Sequence, residues 1–280
     1  MADEIKIRIL QCGSMCVPAD CLEGGKHFYL PQGRAFDARR EELPVFCFLI
    51  VHPQGKVLFD TGWSRELAPH GKKDTAAAAR HLGAGLAAFY QPELPPGMSA
   101  AEQLSALNIP PEELDYVLLS HLDPAHISGL SGLWGAKHVL CSQEDYWWSC
   151  RTVYRLRQPR RLWLSDRLET FWYKGTELGP GKWSYDLFGD GSMELVNLPG
   201  HTDGMFGLRI SRGGRFVLLV SDAAYSPRAW EKQLAPGFGF NPKAQLRSLQ
   251  WIYSQSRESG CAAVFSSHDR QLEPGTSVII

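Results

Sequence analysis

The chain has 280 residues, 44% hydrophobic and 21% charged, and its 29 Lys and Arg against 30 Asp and Glu leave a formal net charge of -1. That length and composition suffice for a large core without disulfide staples, and they exclude the low-complexity, fibrous and disordered classes. So even a charge balance gives no general attraction to nucleic acid or to an anionic membrane.

The start, Met1-Ala2-Asp3-Glu4, carries acids where a secretory leader carries bases, so a cytoplasmic location is expected. Alternating Ile5, Ile7 and Ile9 predict a first strand over Ile5–Leu10. Further strand-like runs follow at Val45–Val51, Lys56–Phe59, Tyr116–Ser120, His138–Cys141, Met193–Leu198, Phe216–Val220 and Ala262–Ser266. Helical spacing marks Asp74–Tyr90, Ala100–Leu107, a long stretch from Glu144 to about Thr176, and Pro242–Ser256. The longest apolar run, Val45–Val51, is strand-sized and far short of the ~18 residues of a membrane span. No linker, charge block or internal period divides the chain, so residues 1–280 read as one domain. Early strands close enough to pair as hairpins, followed by strands separated by helices, fit a layered α/β sandwich better than a doubly wound sheet.

Neither a Gly-x-Gly-x-x-Gly turn, nor a P-loop, nor a Gly-x-Ser-x-Gly elbow is present, which removes dinucleotide, nucleotide-triphosphate and serine-hydrolase readings. Of the seven cysteines, only Cys12, Cys16 and Cys21 lie close together, and their spacing matches no zinc knuckle; free thiols are expected. The histidines carry more information. His121, His126, His201 and His268, together with Asp222, each follow a β-rich run on the loop just after it. Strand ends on one sheet edge converge, so these groups can surround a single point, and imidazole with carboxylate is a donor set for zinc, iron or manganese. The remaining histidines, His27, His52, His70, His81 and His138, lack that setting and read as surface or packing residues.

Five segments in order resemble the metallo-β-lactamase superfamily, and within it most closely the N-acyl homoserine lactone lactonases. Asp60-Thr-Gly62 is similar to an early turn whose aspartate supports the metal ligands. Ser120-His-Leu-Asp-Pro-Ala-His126-Ile-Ser-Gly129 resembles the pattern Ser-His-x-His-x-Asp-His-x-x-Gly. Pro199-Gly-His201-Thr-Asp-Gly204, Ser221-Asp222-Ala-Ala-Tyr225 and Ser267-His268-Asp269 resemble the later ligand loops. The resemblance implies an αβ/βα sandwich of two mixed sheets flanked by helices. It also implies a first ion on His121, Asp123 and His201, a second on His126 and His268, and Asp222 bridging both. Two positions depart from the pattern: Asp123 stands where the family has its second histidine, and Ala125 where it has a metal-binding aspartate. Asp123 is a competent ligand and makes iron or manganese plausible beside zinc; Ala125 supplies none. One or two ions are therefore compatible with the chain.

The same resemblance implies a hydrolase that opens a lactone or related ester by attack of a metal-held hydroxide, with Tyr225 and Asp222 as catalytic groups and Tyr225 polarising the carbonyl. Thioester hydrolysis, iron-dependent oxygen chemistry and a non-catalytic ligand-binding role are the alternatives. Six arginines and the aromatics of Tyr146-Trp-Trp148 and Phe171-Trp-Tyr173 crowd the stretch from 144 to 176, which reads as a helical lid or a homodimer interface. A small-molecule lactone or ester is the expected partner, with no nucleic acid and no membrane.

Overall fold

The computed structural model describes residues 4–25 and 39–280, so His27 lies outside the described residues. Its elements run β1 (Lys6–Pro18), β2 (Arg40–His52), β3 (Gly55–Phe59), α1 (Thr75–Leu82), α2 (Ala84–Tyr90), α3 (Ala100–Ala106), β4 (Tyr116–Leu118), α4 (Pro124–Ile127), β5 (His138–Ser142), α5 (Gln143–Ser149) and α6 (Thr152–Arg155). They continue with β6 (Leu168–Phe171), β7 (Lys174–Gly175), β8 (Trp183–Asp186), β9 (Met193–Asn197), β10 (Phe206–Arg212), β11 (Arg215–Leu219), α7 (Pro227–Lys232), α8 (Pro242–Ser256), β12 (Cys261–Phe265) and β13 (Ser277–Ile279). Among the described residues no helix is long and apolar enough to cross a membrane.

Two mixed sheets result, ordered β13-β1-β2-β3-β4-β5-β6 and β12-β11-β10-β9-β8-β7. The period of two along each strand decides what lies between them. Ile5, Ile7 and Ile9 with Phe46, Phe48 and Ile50 face Met193, Leu195, Phe206, Leu208 and Ile210 across the interior. The alternate residues Leu10, Val45, Cys47, Leu49, Leu58 and Val117 point outward, into a core shared with Leu82 of α1 and Leu104 of α3. On the far side Phe216 and Leu218 meet Leu249 and Ile252 of α8. The layers are thus helix, sheet, sheet, helix, as expected from the sequence.

Three local expectations are corrected. The helix expected over Asp74–Tyr90 is two helices, broken at Gly83, whose φ of 90° leaves the helical region. The stretch expected to be helical from 144 to 176 contains only short α5 and α6. Pro159 opens a single 3-10 turn at Arg160–Leu162, and Leu168–Phe171 joins the sheet beside β5, so the segment is not a continuous helical lid. Strand β10, missed in the sequence, sits between β9 and β11 in the second sheet. Val57↔Tyr116, Tyr116↔His138 and Leu219↔Phe265 are parallel pairings, so the C-terminal ends of β3, β4, β5, β11 and β12 open onto one edge.

Candidate metal centre

At that edge the chain makes two backbone compromises. Asp60 takes φ 62° and Gly62 φ 64°, a turn that presses against β1 so closely that a side chain on Gly62 would start 2.2 Å from Cys12 Cβ. Ser221 also lies in the left-handed region, at φ 47°, at a cost of order 1 kcal/mol for a residue with a Cβ. Its hydroxyl offsets part of that cost by donating to Ser120 Oγ at 2.8 Å.

The hydrogen-bond network fixes three imidazoles in one tautomer. Asp60 Oδ2 accepts from His126 Nδ1 at 2.7 Å and from Ser120 Oγ at 2.9 Å, while Asp60 Oδ1 accepts from Ser120 N at 2.8 Å. Because the Ser120 hydroxyl spends its proton on Asp60, it can only accept from His121 Nδ1 at 3.0 Å. His268 Nδ1 donates to the Pro44 carbonyl at 2.7 Å. In each ring Nδ1 therefore carries a proton and Nε2 is left facing inward. The Nε2 atoms of His121, His126 and His268 are buried without a hydrogen-bond partner, and so is Asp222 Oδ1.

Those atoms are near one another. His126 Nε2 and His268 Nε2 lie 3.2 and 3.1 Å from Asp222 Oδ1, in directions that miss hydrogen-bonding geometry. His201 Nε2 lies 3.3 Å from Asp222 Oδ2. Ligand atoms held about 2.0–2.1 Å from one tetrahedral ion stand roughly 3.3 Å apart, so these separations match a cage for a cation. Two groups of potential ligands emerge, His121 with His126 and Asp222, and His121 with Asp123 and His201. All six sequence-predicted metal residues are buried and brought together.

Charge follows the same geometry. Burial alone would raise the Asp222 carboxyl, but His268, His126 and His201 outweigh it and hold it well below the usual range. Burial would lower His126, yet Asp222 and Asp60 raise it to about 10, so in the metal-free chain a proton sits where a cation would displace it. His201 behaves in the opposite way: burial and then Arg157 lower it to about 3. Burial, then Asp222, pushes the Tyr225 phenol well above its usual value and keeps it a donor; it reaches Asp222 Oδ2 at 3.4 Å.

Arg157 is one of the six arginines of the 144–176 stretch, and nothing in the sequence singles it out for the site. This side chain, 3% exposed, enters the centre from the loop after α6. Its Nε donates to Asp123 Oδ2 at 2.6 Å, Nη1 donates to the Phe238 carbonyl at 2.9 Å, and Nη2 contacts both Asp123 Oδ2 and His201 Nε2. Gln158 Nε2 donates to the other Asp123 oxygen at 3.0 Å. Asp145, also unforeseen, lies behind the His121 loop, accepts from Leu122 N at 2.9 Å, and is raised by burial to about 6. No local pattern marks either residue, since their partners are remote in sequence.

A cavity of about 10 Å³ remains at the centre, bordered by Ala125, His126, Asp222, Tyr225, His268 and Cys21. It is near the size of a single water, and it lies against Ala125, the position at which the family pattern has a carboxylate. Tyr225 and His268 also line a neighbouring cavity of about 290 Å³ with Glu23, Arg228 and Arg270. Cys21 thus reaches the site, while Cys12 is buried in the outer core; all seven cysteines are free.

A two-sheet sandwich whose strand ends gather histidines and carboxylates into one candidate metal centre defines the αβ/βα class of folds. Residues 40–252 match the metallo-beta-lactamase superfamily, and the chain belongs to that superfamily. It is 28% identical to the N-acyl homoserine lactonase AttM of Azorhizobium caulinodans, over 97% of this chain and 95% of that protein. Among solved structures it resembles an N-acyl homoserine lactone hydrolase with N-hexanoyl-L-homoserine bound at its catalytic metal centre. The TM-score is 0.73 at 19% identity, covering 95% of this chain and 94% of that one. It also resembles AidC, a dizinc quorum-quenching lactonase, with a TM-score of 0.64 at 16% identity over 98% and 90% of the two chains.

Proposed function

We propose that the protein is a metal-dependent hydrolase that opens a lactone or a related ester, in the manner of its N-acyl homoserine lactonase relatives. The observation that carries this reading is the set of inward-facing Nε2 atoms of His121, His126 and His268 around Asp222 Oδ1, all buried and lacking hydrogen-bond partners. Such a set is costly to bury unless a cation completes it. His121, Asp123, His126, His201, Asp222 and His268 are the candidate ligands, and zinc suits their nitrogen-rich character, with iron or manganese as alternatives. When bound, such an ion polarises a carbonyl and lowers the pKa of water toward neutrality, so no serine or cysteine nucleophile is required.

The chain's own groups then have defined tasks. Asp60, Ser120 and the Pro44 carbonyl hold the imidazoles in register. Tyr225 remains a neutral phenol, and its bond of 3.4 Å to Asp222 is long enough to yield to a better acceptor such as a carbonyl oxygen developing negative charge. The substrate approaches through the cavity of about 290 Å³, because Tyr225 and His268 are shared between it and the centre. Free cysteines throughout suit a reducing cytoplasm. Exposed Trp147, Leu156, Leu164 and Trp172 on the 144–176 stretch favour its use as an interface between two copies.

The test is ring opening by protein loaded with zinc or manganese, followed as proton release from N-acyl homoserine lactones and simple γ-lactones, with acyl thioesters in parallel. Turnover that disappears in Asp222→Ala supports the reading. Loaded protein that opens no lactone, or an Asp222→Ala variant that retains activity, refutes it.

A further inference from the structure

We propose that the Arg157 guanidinium is a resident cation filling one of the family's two ion positions, so that the chain holds a single metal ion on His121, His126, His268 and Asp222. The inference rests on the metal-dependent reading above and concerns how many ions it needs.

The four histidines are not equivalent. Those at 121, 126 and 268 have Nδ1 hydrogen bonded to Ser120, Asp60 and the Pro44 carbonyl, with Nε2 unpartnered. His201 is reversed: its Nδ1 is the unpartnered atom, and its Nε2 meets Arg157 Nη2. His201 Nε2 thus sits between Arg157 Nη2 and Asp123 Oδ2, the latter at 3.1 Å, and because a guanidinium nitrogen can only donate, its contact uses the Nε2 lone pair that would bind an ion. Asp123 is likewise engaged, one oxygen by Arg157 and the other by Gln158. Of the group His121, Asp123 and His201, two members thus meet Arg157, whereas His126 and His268 turn their Nε2 atoms to Asp222 Oδ1.

The guanidinium is seated rather than passing through. It lies 4.0 Å from the ring centroid of Phe238 and 4.8 Å from that of Phe240, and it donates to the Phe238 carbonyl. The loop that delivers it is anchored by Tyr154, whose phenol donates to Asp203 at 2.6 Å and whose ring stacks 3.9 Å from Phe240.

Charge fits the same division: buried Asp123 has the guanidinium as its counter-charge, which leaves Asp222, with Asp60 behind His126, as the carboxylates facing the remaining ion. One departure from the family pattern then has a cause: Asp123 in place of a histidine gives the guanidinium its counter-charge. Ala125 lies instead beside His126, Asp222 and His268, where His121 brings the retained ion's protein ligands to four.

Metal content decides the matter without reference to activity. Metal-depleted protein titrated with Zn(II) or Mn(II) and analysed for bound metal is expected to hold one ion per chain, and Arg157→Ala, which frees Asp123 and His201, is expected to hold two. His201→Asn is expected to keep the count at one, while His268→Asn loses it. Should Arg157→Ala not fold, the Mn(II) form of the unaltered protein gives the same answer by electron paramagnetic resonance, as the hyperfine pattern of an isolated ion rather than a spin-coupled pair. Two ions in the unaltered protein, or one in Arg157→Ala, overturn the inference and leave the hydrolase reading standing. No bound metal in any form overturns both.

Discussion

Replacing Asp60 by Asn tests the reasoning about tautomers most directly. Asn tolerates the left-handed φ of 62° at this position, so the backbone need not move. Its carbonyl can keep the bond from Ser120 N, but its amide then faces Ser120 Oγ and His126 Nδ1, both of which donate to Asp60 in the native chain. An amide facing His126 Nδ1 forces that proton to Nε2, the atom meant for the ion. Ser120, no longer able to donate to residue 60, turns its hydroxyl toward His121 Nδ1 and reverses that ring too. Loss of such supporting partners lowers metal affinity by about 10- to 100-fold, or roughly 1.4–2.8 kcal/mol. The metal-free fold should lose about 1–3 kcal/mol as bonds to a charged acceptor become neutral ones. The assay is competition for Zn(II) against a chromophoric chelator, repeated across pH, because removing the Asp60 charge also eases release of the His126 proton. That competition fades as pH rises, whereas the tautomer penalty persists. A folded Asp60→Asn protein that matches the parent's affinity at every pH would show that Asp60 does not set the tautomers.

Removing metal from the loaded protein should lower its Tm by about 4–5 °C at an ion concentration near 100 times Kd, from ~2.7 kcal/mol of linkage; thermal denaturation with and without chelator measures it. Tyr225→Phe should leave metal content unchanged and lower kcat on a lactone roughly 10²-fold, and unaltered kcat would remove the phenol from the reaction. Leu195→Ala, in the fully buried space between the sheets, should cost about 2–5 kcal/mol by chemical denaturation. Burial would raise the Glu102 carboxyl, but bonds from Arg65 and Ser99 outweigh it and hold it at about 2 against an ordinary 4.5. The pair therefore stabilises the fold above pH 4.5 and that contribution is lost as pH falls toward 2. Glu102→Gln should flatten this acid limb of the Tm profile, and an unchanged limb would assign it elsewhere.

The strand alternation of Ile5, Ile7 and Ile9 and of Phe46, Phe48 and Ile50 is a local property, since side-chain direction in a strand has a period of two, and it determined both the layered fold and the content of the inner core. Placement of His121, His126, His201, Asp222 and His268 just after β-rich runs was legible for the same reason: in parallel strands, the ends that carry loops lie on one edge. The sequence misled where tertiary contacts outweighed spacing. Leu168–Phe171 looks helical in isolation and is a strand because β5 offers it an open edge.

The partner of Asp123, by contrast, is set by contacts remote in sequence. Read alone, that aspartate is a metal ligand. In the folded chain Arg157 and Gln158, more than thirty residues away, occupy both of its oxygens. Sequence spacing specifies which atoms are available near a strand end. Which of them remain available depends on what a distant loop inserts between them, and that is settled by packing: a seat of Phe238, Phe240 and Tyr154 that no local pattern encodes.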